Sequence, residues 1–193
     1  MSRKRLLVPL LLALVLIVAL PVAAAAAPVP TDPAALKALA AARAATAKYH
    51  DVANALADGY VPMSPCEEAP GLGAMGIHYV NFGLAFDFSV NPLTPEILLY
   101  VPTEAGSRLV GVEYAMVAWV VTPGGPAPWF DPAPPPFPWF FPSPPTVFGQ
   151  EMDGPMAPHE VGVDPWHYEL HAWLWQANPS GIFADFNPNL SCD

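Results

Sequence analysis

Lysine and arginine are scarce in this chain, at 7 of 193 residues against 17 aspartates and glutamates. Three of the seven (Arg3, Lys4 and Arg5) precede an apolar run at residues 6–20, and without them four cations face 17 acids, a formal charge of −13. Such a surface repels phosphate backbones and anionic membrane surfaces, so nucleic acid is excluded as a partner and cations are favoured. Cysteine is nearly missing, with only Cys66 and Cys192, so one disulfide between them is set against two free thiols or a shared metal. No G-x-S-x-G occurs, so a nucleophile elbow is excluded. The serines, Ser64 and Ser180 among them, fall in loops or turns with no His-Asp partner in view. The glycine-rich GLGAMG at 71–76 lacks the flanking strand and helix of a nucleotide fingerprint. The adjacent H-x-H of cupins is absent too. Past the leader, no apolar run is long enough to span a membrane.

What is present begins with an address. MSRKR, then LLVPLLLALVLIVAL, then PVAAAAAPVP, read as basic, apolar and small-residue regions of a signal peptide covering residues 1–27, with Ala25-x-Ala27 as the cleavage pattern. An uncleaved anchor is the competing reading, disfavoured by Pro9 and Pro21 and by the short run. The expected location is secreted or cell-envelope, and the expected product is one domain at 28–193, not integral to a membrane after cleavage. In that setting Cys66 and Cys192 are expected to form one disulfide.

Residues 33–58 are rich in alanine, start beside Thr31 and Asp32 with Pro33 just inside, and stop at Gly59. They predict one long helix with Leu36, Leu39, Arg43, Thr46, Tyr49, Val52 and Leu56 along one stripe. Strands follow at 77–81, 97–101 and 108–121, the last two joined as a hairpin across Glu104–Ser107. On the long strand, Leu109, Gly111, Glu113, Ala115, Val117 and Trp119 share a face by alternation. Both faces are apolar, so Glu113 is a buried carboxylate that needs a partner: Arg108, a tyrosine hydroxyl, or a histidine-bound metal. Residues 122–146 are a proline- and aromatic-rich loop that cannot be sheet interior. Its rings either fold back over the domain or form a sticky patch. The expected fold is α+β: the long helix packed on a curved antiparallel sheet or partial barrel, with long Pro/Gly-rich loops.

DPWHYELHAWLWQ, at 164–176, concentrates the chemistry. Read as a helix, it sets His167 and His171 four apart on one side. Read as a strand, which its aromatic content and the following Asn178–Gly181 turn favour, it places His167, Glu169, His171, Trp173 and Trp175 on one face. Four residues of strand span about 13 Å. One ion can then take His167 with Glu169, or Glu169 with His171, but hardly both histidines. His159 precedes this stretch in a loop with Met152, Met156 and Glu160, a copper-compatible set or simply packing.

The segments ADGYV (57–61), GIHYVN (76–81), ILLYVP (97–102), LVGVEY (109–114), FGQEMDGPM (148–156) and HYELHAWLW…NPSG (167–181) resemble a group of uncharacterised secreted bacterial proteins. The likeness covers most of the chain past the leader, departs at 122–146, and implies no activity.

Two functions follow. One is a secreted protein binding a transition metal through His78, Glu113, His159, His167 and His171, with Zn, Cu, Fe or Mn as candidate ions. The other is a non-catalytic extracellular binding module. It would use aromatic residues, Trp173 and Trp175 among them, to hold a small apolar molecule, a glycan or a protein. Convergence discriminates them: a metal requires His78, Glu113 and the 167–171 pair to meet within about 5 Å of a common point.

Overall fold

The computed structural model describes residues 30–134, 136, 143–159 and 164–193. The expected signal peptide at 1–27, Glu160, and the rings Phe137, Trp139, Phe140 and Phe141 lie outside them.

The helical segment opens as expected and then breaks. Helix α1 (Pro33–Thr46) has Asp32 as its N-cap, whose carboxylate accepts from the Ala35 N–H at 2.9 Å, with Pro33 in the first turn. Residues Ala47–His50 tighten into a 3-10 turn, and α2 (Val52–Ala57) starts afresh, capped by Asp51. One continuous helix over 33–58 is therefore not formed. The Tyr49 carbonyl turns to the sheet and accepts from the Tyr100 hydroxyl at 2.6 Å. Asp51, with ψ of 108°, leaves the helical region to cap α2 at Ala53. The buried stripe of α1 is Ala35, Leu39, Ala42 and Thr46, while Leu36 is exposed. Alanines on that stripe let the backbone approach the sheet closely.

Eleven strands are described, seven of them in one sheet. In chain order they are β1 (Val61–Pro62), β2 (Glu67–Ala69), β3 (Gly73–Val80), β4 (Ile97–Thr103), β5 (Gly106–Val117), β6 (Trp119–Thr122), β7 (Gly125–Pro128), β8 (Thr146–Val147), β9 (Gln150–Glu151), β10 (Asp153–Met156) and β11 (His167–Ala172). A one-turn helix, α3 (Phe82–Ala85), follows β3. The large sheet runs β1-β3-β4-β5-β11-β10, with β2 also on β3, and every pairing is antiparallel. It is open: β1 and β10 lie at opposite ends, so the antiparallel sheet is as expected and is not a closed barrel. The expected 108–121 strand ends at Val117. Beyond it β6 pairs only with β7, as a hairpin of its own at the start of the proline-rich segment. That segment folds back in part, since the Trp129 carbonyl accepts from the Trp166 N–H at 2.9 Å.

One face of the sheet packs under the helices. Leu98, Tyr100, Leu109, Val112, Tyr114, Tyr168 and Leu170 meet Ala35, Leu39, Ala42 and Tyr49 there. The other face carries Leu99, Val101, Val110, Ala115 and Trp173, and with them the site described below. Simple alternation along β5 puts Leu109 on the face of Glu113, and the structure does not. Leu99 pairs with Gly111 and Tyr100 with Leu109, so Val110 is an extra residue. This β-bulge swaps the faces of the two ends of the strand.

The C-terminal tail crosses the site-bearing end. Cys66 and Cys192 are disulfide-bonded, as expected. Asn187 bridges Ala74 on β3, and a Cβ on Gly73 would meet the Asn187 carbonyl oxygen at 2.1 Å, so only glycine admits this approach. The tail thereby brings Asp185 and Phe186 to the sheet.

Candidate metal centre

Three strands of the sheet deliver three ligand atoms to one place. Glu113 on β5 stands directly opposite His171 on β11. His78 on β3 pairs with Leu99 on β4 and lies one strand further away, yet its ring reaches across. His78 Nε2 is 3.2 Å from Glu113 Oε2, and His171 Nε2 is 3.6 Å from the same oxygen. One ligand atom from each residue lies within 4.8 Å of the other two. The expected convergence of His78, Glu113 and both histidines of the 167–171 pair is met in part, by His78, Glu113 and His171 but not by His167.

The tautomer of His78 is fixed from behind. Ser64 Oγ donates its one proton to the Pro65 carbonyl at 2.8 Å and accepts from the His78 N–H at 3.1 Å. The same Oγ is 3.0 Å from His78 Nδ1, which is also 3.2 Å from Glu67 Oε1. Nδ1 must then carry a proton, and Nε2 is turned to Glu113. A ring held at one nitrogen by hydroxyl and carboxylate is the usual support of a metal-binding imidazole; in the metal-free protein Nε2 also carries a proton, which it would release on ligation. Burial would lower the pKa of His78, but Glu113 and Glu67 outweigh it and raise it to about 10. In return, the His78 contact holds Glu67 below the ordinary carboxylate range.

His171 is 1% exposed, and its ring stacks on Trp173 at 6.3 Å between centroids. Its Nδ1 faces Asp185 Oδ1 at 3.9 Å, beyond hydrogen-bond reach. Among the described residues, Glu113 Oε2 and both ring nitrogens of His171 are buried without a hydrogen-bond partner. Leaving such groups unpaired is costly. A cation between them would satisfy Glu113 Oε2 and His171 Nε2 at once.

His167 does not join this triad. Its Nδ1 donates to the Pro165 carbonyl at 2.7 Å, and its Nε2 pairs with Glu169 Oε2 at 3.1 Å. Burial opposes its charge, but Glu169 and the Pro165 carbonyl prevail and raise its pKa to about 9. His159 is exposed; its ring stands 5.1 Å from that of His167, and its N–H donates to Asp164 at 2.8 Å. His159, Asp164 and His167 thus form a second grouping, and Glu169, His171 and Asp185 a third.

The anticipated protein partners of Glu113 lie elsewhere. Arg108 bonds Gln176 at 2.9 Å, and the Tyr114 hydroxyl bonds the Pro92 carbonyl at 2.7 Å. The two tryptophans part company once β11 ends at Ala172. Trp173 stays beside His171, whereas Trp175 crosses to the helical side. There its Nε1 donates to Thr46, and the Arg43 guanidinium lies 4.5 Å above its ring. Met152 is core, and Met63 and Met75 line the cavity at the site instead. Sequence reasoning did not single out Ser64, Glu67, Asp164 or Asp185 as site residues. Ser64 and Glu67 carried a signal through their closeness to Cys66, and Asp164 through opening the 164–176 stretch; Asp185 carried none.

Compared with known proteins, the chain matches no family, no curated protein and no solved structure.

Proposed function

We propose that this is an exported, disulfide-bonded protein that binds one transition-metal ion through His78 Nε2, His171 Nε2 and Glu113 Oε2. The observation that carries this reading is the buried, unpartnered Glu113 Oε2 with an imidazole nitrogen on either side of it. Two imidazoles and one carboxylate suit Zn, Fe, Mn or Cu(II), and three protein ligands leave coordination positions open. No thiolate is at hand, so soft-metal selectivity is not favoured. Export fits the disulfide, and among the described residues no helix is long and apolar enough to cross a membrane.

The test is metal content by mass spectrometry on protein taken from the culture medium, with His171→Ala alongside. One equivalent of metal, lost in the variant, supports the reading. Metal-free protein that also fails to take up zinc, iron, manganese or copper on titration overturns it.

A further inference from the structure

The ligand atoms stand at one side of a chamber of about 450 Å³, a volume typical of small-molecule sites. Met75, Val80, Phe82, Phe86, Ile97 and Phe186 form much of its wall. They come from β3, α3, β4 and the C-terminal tail, so the wall belongs to the same framework as the centre. The polar lining residues fall into two clusters, His78, Glu113 and His171 with Ser64 and Glu67 behind His78, and His159, Asp164 and His167 with Glu169 bonded to His167. An apolar body with one polar end directed at the first cluster suits such a lining.

Charge selects the polar end. Glu67, Glu113, Asp164 and Glu169 all line the chamber. Among the described residues no lysine or arginine lines it, and two of its histidines are held by carboxylates: His167 by Glu169, and His78 by Glu67 and Glu113. A metal ion at the centre would be shared with Glu113. An anionic ligand would stand beside these carboxylates in a partly desolvated space, with no lysine or arginine in the described lining to meet it. A neutral oxygen, hydroxyl or carbonyl, meets no like-charge repulsion and can still ligate a metal or accept a hydrogen bond.

We propose that the chamber binds a small, uncharged apolar molecule carrying one oxygen donor. Its body lies against Met75, Phe82 and Phe86, and its oxygen points to the His78/Glu113/His171 centre. The placement of the oxygen rests on the metal reading; the apolar body does not.

The probe pair is naphthol and naphthoate, which share one ring system and differ in charge at neutral pH. Each is titrated calorimetrically into the full exported protein, with metal content measured on the same samples. Met75→Trp fills the chamber at a wall position that supplies no ligand atom, and Phe82→Ala, at an exposed position, removes part of the wall. Naphthol is expected to bind at least about tenfold more tightly than naphthoate, with a similar loss in Met75→Trp at unchanged metal content. His171→Ala is expected to weaken naphthol binding without abolishing it. Absence of naphthol binding, equal or tighter naphthoate binding, or no effect of both wall variants overturns the proposal. Unchanged naphthol affinity in His171→Ala overturns the placement of the oxygen. Protein that holds metal but not naphthol retains the metal reading and loses the chamber; protein that binds naphthol without metal does the reverse.

Discussion

Glu113 and His171 are direct cross-strand partners in the β5/β11 pair, and Glu113 Oε2 approaches His171 Nε2 to 3.6 Å without forming a hydrogen bond. Glu113 also pairs with His78 at 3.2 Å, and breaking a buried pair costs about 3–5 kcal/mol, so Glu113→Gln is expected to lower the Tm of the metal-free protein in either role. Metal content separates the roles: if Glu113 is a ligand, Glu113→Gln protein that is still folded by calorimetry holds no metal. One equivalent of metal retained in the variant identifies a purely structural role.

Ser64 and Glu67 touch the His78 ring, and would act on a bound metal through it. Removing such supporting contacts weakens metal binding by about 10–100-fold. Glu67→Gln and Ser64→Ala are each expected to fall in this range, measured by competition with a chelator, with one equivalent of metal still bound at saturation. Unchanged affinity in both shows that Nδ1 needs no support.

Glu96 is expected to make the fold sensitive to pH, chiefly through its own burial, with lesser contributions from the Asp87 and Glu113 charges. It is 1% exposed and accepts from the Ala115 N–H at 3.0 Å, and burial raises its carboxyl from 4.5 to about 8. Between these values the folded chain holds a proton that the unfolded chain has released. Its stabilising contribution is complete below 4.5 and is lost as pH rises through 8, by a total on the order of 4–5 kcal/mol. Glu96→Gln removes this dependence. The Tm of the parent should fall relative to the variant between pH 5 and pH 8.5; parallel curves would show that Glu96 ionises normally.

The disulfide closes a long loop, its cysteines being 126 residues apart, and Cys66 sits between Ser64 and Glu67. Replacing both cysteines with serine is expected to cost about 2–5 kcal/mol in denaturant unfolding. Because the tether also holds the segment behind His78, metal affinity should drop in the same variant. A stability loss with affinity intact would mean that β2 alone holds that segment in place.

Much of the frame was readable along the chain. Asp32 and Pro33 start a helix because a carboxylate satisfies a free N–H and proline needs no donor at the first turn. The β4/β5 hairpin and the β11 strand follow from short apolar runs and turn residues. Period-two alternation also explains why His167, Glu169 and His171 share a face and why the two histidines cannot meet at one ion.

Alternation fixes the face of a residue on its own strand and nothing about its distance from another strand. That His78 reaches Glu113 across β4, and that Asp185 arrives from the tail, were decided by pairing order and by the Asn187 bridge to Ala74. The bulge at Val110 reversed the two ends of β5. The Tyr100 hydroxyl competes for the Tyr49 carbonyl, and a helix broken there outranked the alanine propensity that favoured one continuous helix. The sequence alone thus determined which residues could ligate and which way each would face, because side-chain chemistry and local periodicity are properties of the chain itself. Only the tertiary structure decided that three of them meet, because convergence depends on contacts between segments far apart in sequence.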